Sequence, residues 1–276
     1  MTTSNRTVAF IGAGNMSASI IAGLVNSGYE ANKIIAANPS TGKLDALKQK
    51  YAIQTTQDNN SAIAQADVVV LAVKPQIMAD MLSAVTLDPA QLTNKLFISI
   101  AAGIPVARFQ QLLGPEAAIV RTMPNTPSLL GLGLTGVYAA DSVSQTDKDF
   151  TDTLMSAVGK TVWVDDEAGI NKITALAGSA PAYFFRFMEA LVQQAQALGF
   201  SDTEAKLIVE QVANGSAQMV QQNSDKTITE LRQQVTSKGG TTAAAIASLE
   251  HNDLDSVIQQ AVEACMKRAE EMAKQL

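Results

Sequence analysis

The sequence predicts an α/β protein in which a doubly wound parallel sheet is followed by a wholly helical domain. Short apolar runs rich in β-branched residues alternate with helical patterns through the first half of the chain, as in consecutive βαβ units. After about Trp163 this alternation stops and only long helical patterns remain. We therefore place the two domains at residues 1–165 and 166–276, with the boundary beside the acidic segment VDDE.

Five apolar runs are predicted as strands, and amphipathic helical patterns fill the intervals between them. The run DVVVLAV is apolar throughout, as expected for a central parallel strand that is covered on both faces. The predicted strands are residues 7–12, 33–38, 67–73, 96–101 and 117–123.

The second domain is predicted from helical patterns at 170–198, 202–222 and 253–276. In the middle one of these, the sequence TEAKLIVEQVANGSAQMV leaves little wholly polar face. A helix of this kind is covered on several sides, either inside a bundle or by another subunit.

Composition argues against several classes of function. The 276 residues are 47% hydrophobic, which suits a large buried core. The net charge of -6 and the lack of a Lys/Arg run argue against nucleic acid and anionic membranes as partners. No apolar run approaches the roughly 18 residues of a membrane-spanning helix, and the N-terminus is typical of a first strand rather than a signal peptide.

The chain contains one histidine, His251, and one cysteine, Cys265. These counts exclude an internal disulfide and a Cys/His metal cluster, so we predict no metal site and expect a reducing, cytoplasmic location. His251 lies in a short polar break between helical patterns and is interpreted as a solvated loop residue. Cys265 falls in an amphipathic run and is interpreted as a core or interface thiol.

A glycine turn follows the first predicted strand and opens the first helix. The segment Gly12-Ala13-Gly14-Asn15-Met16-Ser17 matches the fingerprint G-x-G-x-x-G with serine in the third place. Gly12 permits the tight turn, and Gly14 lets the backbone approach a pyrophosphate at the helix N-terminus. The third residue has to be small for helix and strand to pack closely, and Ser17 is bulkier than glycine. The context of strand, turn and helix predicts a Rossmann-type dinucleotide-binding domain.

The end of the second strand indicates which dinucleotide binds. NAD-specific sites usually place Asp or Glu there to hold the ribose hydroxyls, whereas this chain reads Ala36-Ala37-Asn38-Pro39-Ser40-Thr41-Gly42-Lys43. No carboxylate is present, and the hydroxyls with Lys43 nearby suit a 2′-phosphate. NADPH is therefore the predicted cofactor, with NADH as the alternative.

Three later strand ends also carry proline or glycine. Lys74-Pro75 follows the third predicted strand, Ala102-Gly103-Ile104-Pro105 follows the fourth, and Thr122-Met123-Pro124-Asn125-Thr126-Pro127 closes the fifth. Since ligands gather at the carboxyl ends of parallel strands, these turns are predicted to form one edge of a cleft that walls a nicotinamide ring. Each proline alone could simply end a strand. Lys74 is a candidate proton donor, and a backbone or ribose contact is an equal alternative.

The segment VTSKGGTTAAAIASLE places two glycines and several hydroxyls at a helix start near the end of the chain. Gly239, Gly240, Thr241 and Thr242 can offer several N–H donors to one carboxylate, and the hydroxyl of Ser237 can add a hydrogen bond. The alternative is that the hydroxyls only cap the helix and the glycines form its entry turn. The residues alone leave both interpretations open.

At these residues the chain resembles pyrroline-5-carboxylate reductase. The resemblance is carried by FIGAGNM, AVKP, SIAAG, MPNTP, GSAPAYFF and SKGGTT followed by IASLE, in this order over nearly the whole chain. It implies NAD(P)H-dependent reduction of the cyclic imine 1-pyrroline-5-carboxylate to L-proline. It also implies a homodimer formed by interlocking the C-terminal helices, often assembled into larger rings.

The resemblance further implies roles for individual residues. Gly239, Gly240 and Thr241 match the turn that holds the substrate carboxylate. Thr242 matches the threonine whose hydroxyl lies near the ring nitrogen, and we predict that it donates or relays a hydrogen bond to that nitrogen rather than acting as a titrating acid. Together with the residues of the strand ends, the predicted cofactor contacts are Ile11, Gly12, Ala13, Gly14, Asn15, Met16, Asn38, Ser40, Asn59, Ala72, Val73, Lys74, Pro75, Ala102, Gly103 and Asn125.

Three positions depart from the family's pattern. Lys238 stands where proline is usual, Ala180 replaces a glycine, and Ser17 replaces a smaller residue. None removes a group that the chemistry needs, and the first is expected to loosen the carboxylate turn.

Two other functions remain as alternatives. A reductase of the β-hydroxyacid dehydrogenase type would need a lysine general acid in the helical domain, for which Lys172 is the candidate. A non-catalytic NADPH-binding protein would keep the fold without turnover, but it would have no use for a second anion site.

Overall fold

The computed structural model describes residues 6–275, and these form two compact units. The first contains the described residues up to Ser179 together with the end of the chain from Ala264, and the second is Ala180–Glu263. The last strand ends at Trp163, and every later element of the described chain is helical. The predicted fold class is therefore confirmed, and the domain boundary at 165/166 stays a prediction.

One eight-stranded sheet forms the centre of the first unit. Its strands are β1 (Val8–Ile11), β2 (Ile34–Ala37), β3 (Gln54–Thr56), β4 (Val68–Leu71), β5 (Leu96–Ser99), β6 (Ala118–Met123), β7 (Gly133–Ala139) and β8 (Gly159–Trp163). In space they follow the order β3-β2-β1-β4-β5-β6-β7-β8. Neighbouring strands are parallel except β6 and β7, which are antiparallel. The chain changes direction across the sheet between β1 and β4, which is where doubly wound sheets bind their ligands.

Helices connect the strands of this sheet. They are α1 (Asn15–Asn26), α2 (Thr41–Tyr51), α3 (Asn59–Gln65), α4 (Pro75–Ser83), α5 (Pro89–Thr93), α6 (Val106–Leu113), α7 (Gln145–Ser156) and α8 (Gly169–Ile173), the last of which continues into a π-helical turn, Thr174–Gly178.

The core lies between the central strands and the helices that cover them. All four residues of each of β1, β2, β4 and β5 are buried, as expected when helices cover both faces of a parallel sheet. Phe10, Phe97 and Phe109 are among the largest fully buried side chains. Each side chain of this kind stabilises the fold by about 1.5–3 kcal/mol through burial.

The sequence does not predict three of the strands. β3 is three polar residues at the sheet edge, β7 begins with Gly133 and carries Gly136 at its centre, and β8 is largely exposed. None of them shows the continuous apolar run that marks the buried strands. The predicted strand 67–73 is also longer than β4, because Ala72 and Val73 leave the sheet at its carboxyl edge and enter the turn before α4.

The second unit consists of helices. They are α9 (Ala180–Ala197), α10 (Asp202–Gln222), α11 (Ile228–Gln234), α12 (Thr241–His251) and the first part of α13 (Leu254–Gln275). Capping boxes start α10 and α11: the Ser201 hydroxyl and the Glu204 carboxylate accept reciprocal hydrogen bonds, and Thr227 and Glu230 repeat the arrangement. This pattern satisfies the backbone N–H groups of a first helical turn.

Large apolar side chains cover much of the helical unit's surface. Phe184 is 70% exposed and Leu207 is 63% exposed, and α12 contains no buried residue. Exposed apolar surface on this scale marks an interaction site, in agreement with the predicted covering by another subunit. Within residues 6–275, no helix is both long and apolar enough to cross a membrane.

Two helical glycines give a matched stability prediction. A Cβ at Gly23 in α1 would lie 2.4 Å from the carbonyl oxygen of Ala157, whereas a Cβ at Gly42 in α2 would meet nothing within 4 Å. We expect Gly23→Ala to lower the free energy of unfolding by about 2 kcal/mol, because the helix has to move away from its neighbour. We expect Gly42→Ala to raise it by about 0.5–1 kcal/mol through helix propensity. Urea denaturation of both variants measures the sign of each change in the free energy of unfolding. Equal changes in the two variants would contradict the packing argument.

Candidate functional site

The turn between β1 and α1 packs directly against the end of β4. Gly12 has a φ of 106°, and a Cβ on it would lie 2.7 Å from the carbonyl oxygen of Ala72. The Gly12 N–H donates to the Ala37 carbonyl at 2.8 Å, and the Ala72 N–H donates to the Ile11 carbonyl at 2.9 Å. Only glycine fits here, since both the backbone conformation and the available space exclude a side chain.

The start of α1 presents an open helix N-terminus. Gly14 is its N-cap residue in an extended conformation, no side chain caps the first turn, and that turn contains no acidic residue. A Cβ on Gly14 would meet nothing within 4 Å, so its lack of a side chain leaves space beside the backbone. Free N–H groups and the positive end of the helix dipole suit a phosphate at this place.

Ser17 has a defined structural role in this turn. Its side chain is buried, and its hydroxyl donates to the Gly12 carbonyl at 2.6 Å. The helix therefore accommodates serine and uses it to fix the conformation of the glycine turn. The larger residue is compatible with close packing because its only polar group is satisfied locally.

The loop after β2 is tied to the glycine turn. The Asn38 side-chain oxygen accepts from the Ala13 N–H at 3.3 Å, and its nitrogen donates to the hydroxyl of Ser40 at 3.0 Å. Ser40 is the N-cap residue of α2, which also lacks a side-chain cap and an acidic first turn. Lys43 is exposed in that turn. Hydroxyls, a cation and free N–H groups thus share one helix start, which suits a second anion.

The remaining predicted cofactor residues also lie at strand ends. Asn59 is the first residue of α3 and is half-buried. Lys74 is exposed as the N-cap residue of α4, and Pro75 begins that helix. Gly103, in the turn after β5, is buried with a φ of 82°. These positions belong to the carboxyl edge of one sheet, as the sequence predicts.

Asn125 is placed differently from the other predicted cofactor residues. Its side-chain oxygen accepts from the Leu134 N–H at 2.9 Å, and its nitrogen donates to the Ala177 carbonyl at 3.1 Å. The amide thus joins the end of β6 to the start of β7 and to the π-helical turn. Contact between the cofactor and Asn125 stays a prediction, and the structure shows a bracing role for its side chain.

The predicted carboxylate turn lies in the second unit. The Gly240 N–H donates to the Ser237 carbonyl at 3.0 Å, and Gly239 has a φ of 72°. This is the pattern of a type II turn, whose second position favours proline and is occupied here by Lys238. Gly240 is the N-cap residue of α12, and no side chain caps that helix. The Thr241 and Thr242 side chains are exposed, so the hydroxyls remain available to a ligand.

Three residues considered in the sequence analysis do not belong to these turns. Lys172 is exposed on α8, and His251 is exposed as the last residue of α12 rather than in a loop. Cys265 is half-buried and lies 3.4 Å from the hydroxyl of Ser179. Among residues 6–275, no group of three or more His, Cys, Asp or Glu side chains is arranged to hold a metal ion.

Sequence reasoning missed a salt bridge beside the carboxyl edge. Arg121 on β6 is buried and donates to Glu167 at 2.6 Å, and the same carboxylate oxygen accepts the N–H of Val106 at 2.7 Å. Glu167 belongs to the acidic segment that we interpreted only as a domain boundary. The available signal was an arginine inside an apolar strand, which needs a buried partner.

A doubly wound sheet with a glycine turn and open helix starts at its switch point is typical of a dinucleotide-binding protein. Two family profiles agree: "NADP oxidoreductase coenzyme F420-dependent" matches residues 7–103, and "Pyrroline-5-carboxylate reductase dimerisation" matches residues 167–272. The chain belongs to the pyrroline-5-carboxylate reductase family.

Full-length relatives carry this assignment. The pyrroline-5-carboxylate reductase of Vibrio alginolyticus is 49% identical over 270 residues, with 98% of each chain covered. That of Pseudomonas aeruginosa is 44% identical, with 98% of this chain and 97% of the relative covered. A solved pyrroline-5-carboxylate reductase from Coxiella burnetii superposes with a TM-score of 0.88 at 41% identity, covering 97% and 98% of the two chains. The Plasmodium falciparum pyrroline carboxylate reductase, solved with NADP bound, gives a TM-score of 0.84 at 29% identity and covers 98% and 99%.

Ser17 provides a test of the glycine turn. We expect Ser17→Ala to lower the free energy of unfolding by about 1–2 kcal/mol, because the Gly12 carbonyl loses its buried donor. Ser17→Gly, which restores the common fingerprint, should lose about 1 kcal/mol more through helix propensity. Urea denaturation measures both values. An alanine variant as stable as the wild-type protein would show that the hydroxyl does not hold the turn.

Proposed function

We propose that this protein reduces 1-pyrroline-5-carboxylate to L-proline with NADPH, the last step of proline biosynthesis, and that NADH is a weaker alternative cofactor. The observation that carries the proposal is the 49% identity to a pyrroline-5-carboxylate reductase over 98% of the chain. That match extends across both the glycine turn at Gly12 and the late turn at Gly240. The open starts of α1 and α12 would supply the anion sites that a phosphorylated cofactor and an acidic substrate require.

The cofactor is assigned to the carboxyl edge of the first unit. Residues Ile11–Met16 would hold the pyrophosphate, and Asn38, Ser40 and Lys43 would surround the 2′-phosphate. Asn59, Ala72–Pro75 and Ala102–Gly103 would line the remainder of the cofactor site, including the nicotinamide. When bound, the cofactor supplies a hydride. The absence of a carboxylate after β2 supports NADPH, because an acidic residue there would repel the additional phosphate.

The substrate is assigned to the turn before α12. The N–H groups of Thr241 and Thr242 would bind its carboxylate, assisted by the hydroxyls of Ser237 and Thr241. Gly239 and Gly240 keep the backbone accessible, and a Cβ on Gly240 would lie 2.4 Å from the Ser237 hydroxyl oxygen. The positive φ of Gly239 and the close approach at Gly240 favour glycine at both positions.

Reduction of an imine asks little of titrating side chains. The ring nitrogen is basic, so the substrate can already carry its proton when the C=N carbon accepts the hydride. The Thr242 hydroxyl would accept a hydrogen bond from the N–H of the protonated imine and donate one to the nitrogen lone pair that hydride addition creates. It would orient the ring in this way, and positioning would supply most of the rate. This agrees with a chain whose only histidine is exposed at the end of α12.

The match to the dimerisation family indicates a homo-oligomer. We propose that the dimer forms through the helical domain and that dimers assemble into a ring, supported by the exposed apolar side chains of α9 and α10. The match begins at residue 167 and so supports a boundary at 165/166. The cytoplasmic location stays a prediction.

One assay tests the activity and the cofactor site together. The wild-type protein should oxidise NADPH only when 1-pyrroline-5-carboxylate is present, and L-proline should form in equal amount. Lys43→Ala should raise the KM for NADPH by about fivefold or more, because a charge-assisted phosphate contact is lost. The KM for NADH should stay unchanged.

Lys48→Ala is the matched control, since Lys48 is exposed on the same helix outside its first turn. Tight NADPH binding without turnover would contradict the proposed activity. A preference for a β-hydroxyacid with NADP⁺ would also contradict it. A KM for NADPH that Lys43→Ala leaves unchanged would reject the assignment of the 2′-phosphate alone.

Thr242 is the residue to test in the substrate turn. Thr242→Ala should lower kcat by about 10-fold, with a smaller change in the KM for NADPH, because the bond to the ring nitrogen is lost. Thr242→Ser keeps the hydroxyl and should retain most of the activity. Steady-state kinetics decide: an alanine variant within about twofold of the wild-type kcat removes Thr242 from the mechanism.

A further inference from the structure

The segment 100–105, between β5 and α6, is fixed at its first end by buried hydroxyls. Ser99 is buried at the end of β5, and its hydroxyl oxygen accepts the N–H of Ala101 at 3.2 Å. The Ser99 carbonyl in turn accepts the hydroxyl of Thr122, which is buried on β6, at 2.9 Å. The start of the segment is thus held to two neighbouring strands.

The other end of the segment is held by Glu167. One carboxylate oxygen of Glu167 accepts the N–H of Val106, the first residue of α6, at 2.7 Å and the guanidinium of Arg121 at 2.6 Å. Arg121 is only 6% exposed, so its position is determined by the sheet. The negative charge of Glu167 also lies at the positive end of the α6 dipole, where it is stabilised.

Between these two ends the backbone has little freedom. Gly103 is buried with a φ of 82°, and the Ile104 side chain is buried. A segment with both ends tied and its centre packed keeps one conformation. Ala102 and Gly103, the residues proposed to line the nicotinamide, are in its middle.

We propose that Glu167 is a positioning residue for hydride transfer. Through Val106 it sets the place of segment 100–105 and hence the wall against which the reacting ring lies. Arg121 holds Glu167 against β6. The Glu167 carboxylate therefore fixes the start of α6 relative to the sheet. The inference rests on the proposed function, because only a reaction at that ring makes the position of the segment matter.

The first test compares two broken ion pairs. Glu167→Ala releases α6, whereas Asp147→Ala breaks the pair between Asp147 and Arg6, which meet at 2.7 Å beside the start of β1, away from the carboxyl edge. Both variants should be less stable than the wild-type protein. Only Glu167→Ala should lower kcat, by about 10-fold or more, since small misplacements of reacting groups cost this much. The dissociation constant for NADPH should change by less than about threefold, because the phosphate sites are intact.

A second pair isolates the hydrogen bond and keeps the salt bridge. Val106→Pro removes the N–H that Glu167 accepts, at the first helical position, where proline is tolerated. Val106→Ala keeps that N–H and removes most of the same side chain. We expect Val106→Pro to lower kcat by about threefold or more relative to Val106→Ala, with similar melting temperatures. This pair carries the test if Glu167→Ala does not fold.

The outcomes distinguish a failure of the proposed reductase function from a failure of the positioning role of Glu167. If the wild-type protein does not reduce 1-pyrroline-5-carboxylate, the proposed function fails before any variant is compared. If the wild-type protein is active and Glu167→Ala matches Asp147→Ala in kcat, Glu167 is only structural. Equal kcat values for Val106→Pro and Val106→Ala would likewise overturn the positioning role. Rescue of kcat by Glu167→Gln, which keeps the acceptor oxygen without the charge, would support it.

Discussion

The contact between the Gly12 turn and the end of β4 is the constraint on which the carboxyl edge depends. The backbone of Gly12 comes so close to Ala72 that a Cβ would lie 2.7 Å from its carbonyl oxygen. Hydrogen bonds from Gly12 to β2 and from Ala72 to β1 bring three strand ends together at one place. The starts of α1, α2 and α4 follow from this convergence, since each helix begins within a few residues of its strand. A side chain at Gly12 would therefore disturb the predicted cofactor contacts at the ends of β1, β2 and β4 together.

Short polar side chains hold the loops of this edge, and backbone groups face the space in front of it. Ser17 fixes the glycine turn, Asn38 joins that turn to the start of α2, and Asn125 braces β6 against β7. Their hydrogen-bonding groups are used within the protein, so the surface proposed for the ligand would consist largely of backbone N–H groups and small residues. Such a surface is preorganised, because few side chains have to move when a ligand binds. It also explains how an enzyme of this family can work with so few titrating groups at its site.

The sequence predicts the parts of the fold that have a continuous pattern. β1, β2, β4, β5 and β6 are apolar runs and are found where they are expected, whereas β3, β7 and β8 are polar, glycine-containing or exposed and have no such mark. The two glycine turns at the starts of α1 and α12 could be predicted because their glycines and small polar residues are adjacent in the chain, and anion binding there stays a prediction. The hydrogen bond between Glu167 and Val106 could not be predicted, because these residues are 61 positions apart in the sequence and neither residue type indicates its partner. The bracing role of Asn125 is hidden for the same reason.

The candidate substrate turn lies at the start of α12, a helix that is not buried by the rest of its own chain. α12 has no buried residue, although its sequence TTAAAIASLE is largely apolar, and Phe184 and Phe185 of α9 are more than half exposed. A helix without a packed face is stabilised only weakly by its own chain. Association through the dimerisation region would bury this surface and hold the start of α12, and with it the N–H groups of Thr241 and Thr242. Under the proposed function, assembly and substrate binding would be linked through one helix, because the N–H groups that would bind the carboxylate are ordered only to the extent that α12 is ordered.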